Sequence, residues 1–385
     1  MRDLIFRRVR IRLTRRLPRL AADGERGAIG VLVAVLVGTG VLVGMGALVV
    51  DVGQLYQNRA ELQNGADAAA LAVAKSCIKA TCAPSIATQY ADANASKLTG
   101  GTADVNQVCG SGILGACPAS SGKITDCPAA PAAGTNYVDV HTSTELANGS
   151  HLLPPVFART LAGNRGYRGS TVYACAQAEW GGPSTANTIG VTISACEWDT
   201  ATNQGANFAT PPPYPPNPDA SFDQVIYLHG TKQAPTGGCP TEPAGADAPG
   251  NFGWTDDLLG NCTVTINSGT YGGNTGNSVS HDCQTVISNA WSARSVVFIP
   301  VYTSVGGTGT GATYTLDTNP AGFAAFVITG YNLPSFTQKD WITGKLPCNG
   351  GASCISGFFT QGLVASTGGG IGSASLGAYV IGLTG

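Results

Sequence analysis

Three groupings in this 385-residue chain bring together side chains that could do chemistry. His281-Asp282-Cys283 sets an imidazole, a carboxylate and a thiol side by side. Adjacent residues on one segment do not face a common point, so the expected state is a disulfide-bonded cysteine between exposed polar neighbours. Glu197 and Asp199 could serve with Asp256 and Asp257 as acid and base in glycan hydrolysis, which needs two carboxyl groups held about 5–10 Å apart. Nothing in the sequence fixes that separation, and carboxylates on turns more often cap helices or face water. Gly307-Thr308-Gly309-Thr310-Gly311 has the glycine content of a phosphate loop but lacks the G-K-[ST] ending. It lies between two strand-like runs instead of opening a helix, so a hairpin loop is expected. No G-x-S-x-G nucleophile elbow occurs. The four histidines (His141, His151, His229, His281) are scattered and no C-x-x-C pair is present, which leaves zinc without a ligand set. These groupings give no catalytic, cofactor-binding or metal residues, and no enzyme is expected.

The charge distribution narrows the partners. Residues 1–26 hold nine arginines against Asp3, Asp23 and Glu25, a formal +6, while the remainder carries a formal −8. An acidic body of that size lacks the basic footprint that nucleic acid requires. Charged residues make up only 11% of the chain and glycine and proline number 53 and 22. With 43% hydrophobic residues, this is a turn-rich chain with a core, not a disordered one.

Ala28–Val50 runs 23 residues without a charge. As a helix it would be about 35 Å long, enough for the roughly 30 Å hydrocarbon core of a bilayer. A cleaved signal peptide shares the arginine-rich start, but its apolar region is about 7–15 residues. An uncleaved anchor is therefore expected at 28–50, after a basic cytoplasmic segment at 1–27. The arginines precede the span, and Asp51 and Arg59 are the first charges after it. The positive-inside bias then puts the N-terminus in the cytoplasm and the bulk outside, with the arginines on anionic lipid. All twelve cysteines follow the span, as disulfides in an oxidising compartment require. Cys77–Cys82 and Cys348–Cys354 are the plausible local bridges. Gly40-x-x-x-Gly44 is a small-xxx-small spacing that permits close helix contact.

Beyond the span, Leu55, Leu62, Ala66, Ala69, Ala70 and Val73 recur at helical spacing without a proline. One helix from the anchor to about Ser76 is expected. Glu25-Arg26-Gly27, Val49-Val50-Asp51-Val52-Gly53, Tyr56, Arg59, Leu62-Gln63 and Ala66-Asp67-Ala68-Ala69-Ala70-Leu71-Ala72 follow in an order that resembles the N-terminal region of TadE/TadG-like proteins. That family belongs to Flp (tight-adherence) pilus assembly. The resemblance covers about residues 25–75 and implies a membrane-anchored, pilin-like or accessory component, not an enzyme. Some larger relatives carry a metal-binding D-x-S-x-S loop. The nearest string here is Asp219-Ala220-Ser221-Phe222-Asp223, so no metal site is carried over. The anchor also lacks the glutamate of cleaved type IV pilins.

The expected fold class is α+β. A long membrane-anchored helix leads into a small pilin-like αβ unit over 51–180, followed by a β-rich, sandwich-like, disulfide-bonded outer domain over 181–385. Residues 77–135 read as loop. Strand-like runs at Tyr137–Glu145 and Ser170–Trp180 flank a short helix at Pro154–Leu161, and Gly181-Gly182-Pro183 then marks a break. Seven strands follow, at Ile189–Ser194, Val225–His229, Cys262–Ile266, Ser295–Tyr302, Ala312–Leu316, Gly322–Thr329 and Gly357–Val364, with one helix at Asp282–Ala293. The glycines at 368–372 read as the approach to a flexible tail.

The expected role is helix packing against pilin or pilus-platform membrane proteins within the bilayer. The interaction residues would be Gly40, Gly44, Asp51, Gly53, Gln63, Asp67 and Ala69. A tethered adhesin is the alternative, with Trp254, Trp291, Trp341 and Tyr331 as a platform for surface glycans or a host surface. An envelope hydrolase ranks last.

Overall fold

In a computed structural model, the residues described are 26–79, 81–95, 101–119, 126–157, 168–212, 214, 218–228, 239, 252–256, 261–267, 269–274, 279–306, 312–316, 322–349, 351–365 and 370–384. The basic segment before Arg26, His229, Asp257 and the loop Gly307–Gly311 lie outside them. Helix α1 (Arg26–Ile78) is followed by helix α2 (Ile86–Asn94) and strands β1 (Gly101–Gly110), β2 (Asn136–Leu146), β3 (Tyr173–Pro183), β4 (Thr185–Ile189) and β5 (Val191–Ser194). Next come helix α3 (Ala195–Thr202), β6 (Gln224–Tyr227), β7 (Phe252–Thr255), β8 (Thr263–Asn267), β9 (Gly269–Asn274) and helix α4 (His281–Ala293). The chain finishes with β10 (Val296–Tyr302), β11 (Ser304–Gly306), β12 (Ala312–Leu316), β13 (Gly322–Leu333), β14 (Phe336–Gln338), β15 (Cys354–Thr360), β16 (Gly362–Leu363), β17 (Ile371–Leu376) and β18 (Ala378–Leu383). The class is α+β, with six disulfides.

Contacts divide the chain into two units, Met1–Gln54 with Pro154–Arg168, and Leu55–Leu153 with Gly169–Gly385. In the first, the apolar start of α1 is open on its sides: Leu32, Leu36 and Val49 are 61%, 63% and 70% exposed. This stretch is long and apolar enough to cross a membrane.

In the second unit, α1 changes character. Leu62, Ala66, Ala69, Ala70, Val73 and Ala74 are fully buried, in one cluster with Val138, Val140, Ala174, Ala176 and Ala178 of β2 and β3. Short side chains let the helix lie close on the strands. α2 joins this cluster through Ala87 and Ala91, and Asp92 accepts a hydrogen bond from the Ala103 amide of β1 at 3.0 Å. Residues 77–135 are therefore not all loop. α2 buries only alanines, and β1 buries only Ala103, Cys109 and Gly110, so neither has an apolar stripe to read. The expected helix at 154–161 is absent over Pro154–Phe157, and its remainder lies outside the described residues. The two prolines that were read as a helix start leave residues 154 and 155 without backbone donors.

Strand β3 runs through Gly181-Gly182-Pro183 and pairs with β2, β17 and β18. Thus β17 and β18 occupy residues that were expected to approach a flexible tail. The twelve-residue β13 is the second branch point, pairing with β10, β14, β15 and β17, and β6 adds to β15. A core of Ile193, Trp198, Ile287, Phe326, Ile328, Ile355 and Phe359 packs around it. Strands β7, β9 and β14 and helix α3 were not anticipated. All twelve cysteines are paired: Cys77–Cys82, Cys109–Cys117, Cys127–Cys175, Cys196–Cys239, Cys262–Cys283 and Cys348–Cys354.

Gly65 of α1 is where α2 comes closest. A Cβ there would sit 2.7 Å from the Ala91 carbonyl oxygen and 3.2 Å from the Ala95 Cβ. Helix propensity alone would make Gly65→Ala stabilising by about 0.5–1 kcal/mol. Overpacking against backbone should outweigh that and cost about 1–3 kcal/mol. Thermal unfolding decides by sign: a lowered midpoint is expected, and a raised one would show that α2 yields freely.

Candidate functional site

The seven residues expected to interact separate into two groups. Cβ atoms added at Gly40, Gly44 and Gly53 would meet nothing within 4 Å. Gly40 and Gly44, four residues apart, share one side of α1 that is open for another helix, while Gly53, nine residues beyond Gly44, lies on the opposite side. The other four make contacts inside the chain. Gln63 Nε2 donates to Asp67 Oδ1 and to the Cys175 carbonyl oxygen of β3, both at 2.9 Å. Gln63 and Asp67 thereby clasp α1 to its own sheet, and Ala69 is fully buried beneath them. A large residue at 69 would test folding before it tested any partner.

Asp51, the first charge after the span, accepts hydrogen bonds on Oδ1 from the amides of Val156 at 2.8 Å and Phe157 at 3.1 Å. It holds the segment that follows the two prolines.

Facing away from the sheet, Tyr56, Ala60, Asn64, Leu71 and Lys75 of α1 are exposed, Tyr56 by 70% and Leu71 by 37%. Their spacings of four and seven make one row that winds along the helix. Sequence periodicity had pointed at the opposite, buried face, because apolar spacing alone cannot distinguish an internal face from an external one.

The residues considered for catalysis do not form a site. His281 and Asp282 are exposed, at 92% and 61% of their side chains, and Cys283 is bonded to Cys262. Glu197 is buried in the first turn of α3, while Asp256 is exposed after β7. Cys127, His141 and Cys175 come together, but the two sulfurs are bonded to each other. Of the aromatic residues, Trp254 and Tyr331 are core, 5% and 2% exposed. The indoles of Trp291 and Trp341 donate to the carbonyls of Thr329 and Ile328, at 2.7 and 3.2 Å.

A polar knot that the sequence did not reveal lies at the centre of β13. The register between β13 and β15 shifts between Ile328 and Gly330, a bulge at Thr329. Thr329 Oγ1 lies 2.7 Å from Asp223 Oδ1, 3.1 Å from Asp340 Oδ2 and 2.9 Å from Ser356 Oγ, and Ser356 Oγ lies 3.0 Å from Asp340 Oδ2. Two hydroxyl protons cannot serve these four contacts and the bond between the two carboxyls as well, so a carboxyl proton is shared. Asp340 accepts from the amides of Ile342 and Thr343 at 2.7 and 2.9 Å. Burial works against its charge, yet the hydrogen bonds from Asp223, these amides and Ser356 hold it below the usual carboxylate range. Burial, with the neighbouring Asp340, pushes Asp223 up to about 8, and Asp223 carries the proton. Gly330 permits the approach, since a Cβ there would lie 2.6 Å from the Asp340 amide.

Residues 27–76 match the Tad family model, described as Flp pilus-assembly TadE/G-like. No curated protein and no solved structure matches the chain. The matched stretch spans the apolar start of α1 and the part packed on β2 and β3, and ends two residues before the helix does.

The knot predicts a pH dependence. Between the ordinary aspartate value of 3.8 and about 8, folded Asp223 keeps a proton that the unfolded chain has released. Its contribution to stability therefore falls as pH rises through that window and levels off above it. Asp223→Asn keeps a neutral donor, so the unfolding midpoint of the variant should fall less steeply across the window than that of the parent. Parallel profiles would show that Asp223 ionises normally.

Proposed function

We propose that the chain is a membrane-anchored, non-enzymatic component of Flp pilus assembly, acting as a minor pilin-like or accessory protein. The observation that carries this reading is the family match at 27–76, because it falls on a helix with an unpartnered lateral surface. The family is generally non-enzymatic and implies partners in the pilus machinery. The N-terminus lies in the cytoplasm and the disulfide-bonded bulk outside. The glycine side at Gly40 and Gly44, Gly53 on the other side of α1, and the exposed residues from Tyr56 to Leu71 pack against pilin or platform helices. Within the membrane such contacts depend on close backbone approach, since lipid already satisfies apolar side chains. The β-rich part stabilises or caps the assembly. The adhesin alternative draws little support from Trp254 and Tyr331, which are buried and offer no open platform for glycan.

Deletion of the gene, followed by counting surface pili by electron microscopy with adhesion scored in parallel, tests the role. Loss of pili that the intact chain restores is the expected result. Normal pili with lost adhesion would favour the tethered adhesin. Gly44→Leu should reduce piliation while membrane insertion and the outer disulfides remain intact. Normal piliation in that variant would remove the glycine side from the mechanism.

A further inference from the structure

The contact between Asp51 and residues 156–157 lies where the apolar run of α1 ends, and what it holds there is apolar. Val156 and Phe157 are 51% and 43% exposed, and Pro154 beside them is also exposed. A polypeptide backbone enters the hydrocarbon of a bilayer only if its amides are satisfied, and approaches it more readily when they are. Pro154 and Pro155 have no amide hydrogen, and the amides of Val156 and Phe157 both donate to Asp51. The same bonds satisfy a carboxylate that sits next to hydrocarbon, where an unpaired charge is costly. The four residues 154–157 thus present apolar side chains without a bare backbone donor. They are held within one hydrogen bond of Asp51, which directly follows the last apolar residue of the span.

We propose that Pro154–Phe157 is a second membrane contact, which seats Val156 and Phe157 in the outer-leaflet interface with Asp51 as its latch. The occupant of this apolar surface is phospholipid, at the level of the headgroups and upper acyl chains. Apolar residues of interfacial segments bury about 5–10 Å into that layer. Tyr56, five residues beyond Asp51 on α1 and 70% exposed, has the amphipathic ring that favours the same level. The consequence is orientational: a single span leaves a protein free to rotate and tilt, and a second contact beside the span limits both. This inference rests on the reading of 28–50 as a span.

The test uses the full chain in phosphatidylcholine–phosphatidylglycerol nanodiscs, with a fluorescent amino acid placed in turn at positions 37, 157 and 265. Lipids brominated near the headgroup or near the bilayer centre serve as quenchers. Position 37 should lose fluorescence to the deep bromines, position 157 to the shallow ones, and position 265, exposed on β8, to neither. An unquenched position 157 with a quenched position 37 would overturn the second contact while leaving the span in place. An unquenched position 37 would remove the span and the contact resting on it. Asp51→Ala should abolish quenching at 157 and leave position 37 unchanged; persistent quenching would overturn the latch. If benzophenone in place of Phe157 crosslinks to a neighbouring protein instead of to lipid in native membranes, the surface is a protein contact and the lipid assignment fails.

Discussion

A helix can lie close on a sheet only where the side chains between them are small. α1 meets that condition with Ala66, Ala69, Ala70 and Ala74, set against Ala174, Ala176 and Ala178 of β3. Close approach brings backbone within reach of side chains: Gln63 spans from α1 to the Cys175 carbonyl, and Thr142 of β2 contacts the Leu62 carbonyl. It also lets α2 rest on Gly65. Because α1 is continuous from the apolar span into this core, its register on the sheet fixes which residues remain outside. The exposed residues from Tyr56 to Leu71 are a consequence of that one packing choice. Along the same helix the composition changes from valine and leucine to alanine.

The rest of the protein uses covalent and polar constraints more than charge. With 11% charged residues the chain has little ion pairing available, and neighbouring His281 and Asp282 come within 4.0 Å of each other. Six disulfides close loops that range from the five-residue separation of Cys77–Cys82 to the 48-residue separation of Cys127–Cys175. The interior of β13 is held by a carboxyl pair and two hydroxyls that would be costly if any partner were missing. Three backbone segments converge on that knot: the entry to β6, the middle of β15 and the turn after β14. A bulge at Thr329 is what turns its hydroxyl toward both acids.

Periodicity and composition were enough to read the long helix, most of the strands with β-branched or aromatic runs, and the local bridges Cys77–Cys82 and Cys348–Cys354. They failed where structure depends on what is absent from a side chain. α2 buries only Ala87 and Ala91, and β9, Gly269–Asn274, is half glycine; Gly273 is small because Tyr314 fills the space a Cβ would take. Residue type at an expected contact position does not give the direction of the contact. Gln63, Asp67 and Ala69 have the character of contact residues, and their contacts are internal. The Asp223–Asp340 pair could not be found at all, since it exists only after β6, β15 and β13 have paired.

The route of the chain through its first sheet has a mechanical meaning. It leaves that sheet at the end of β3 and returns through β18, which pairs with β3 from Ala178 to Gly181. Everything from β4 to β17 is thus a large excursion between two strands that are hydrogen-bonded to each other or to the same neighbour. Tension applied along α1 enters at β2 and β3, the strands on which the helix lies. Its load path can close through those strands and β18 without crossing β13 or the acid pair. β17, paired with β3 on one side and β13 on the other, is then the hydrogen-bonded tie through which the distal strands share in that load.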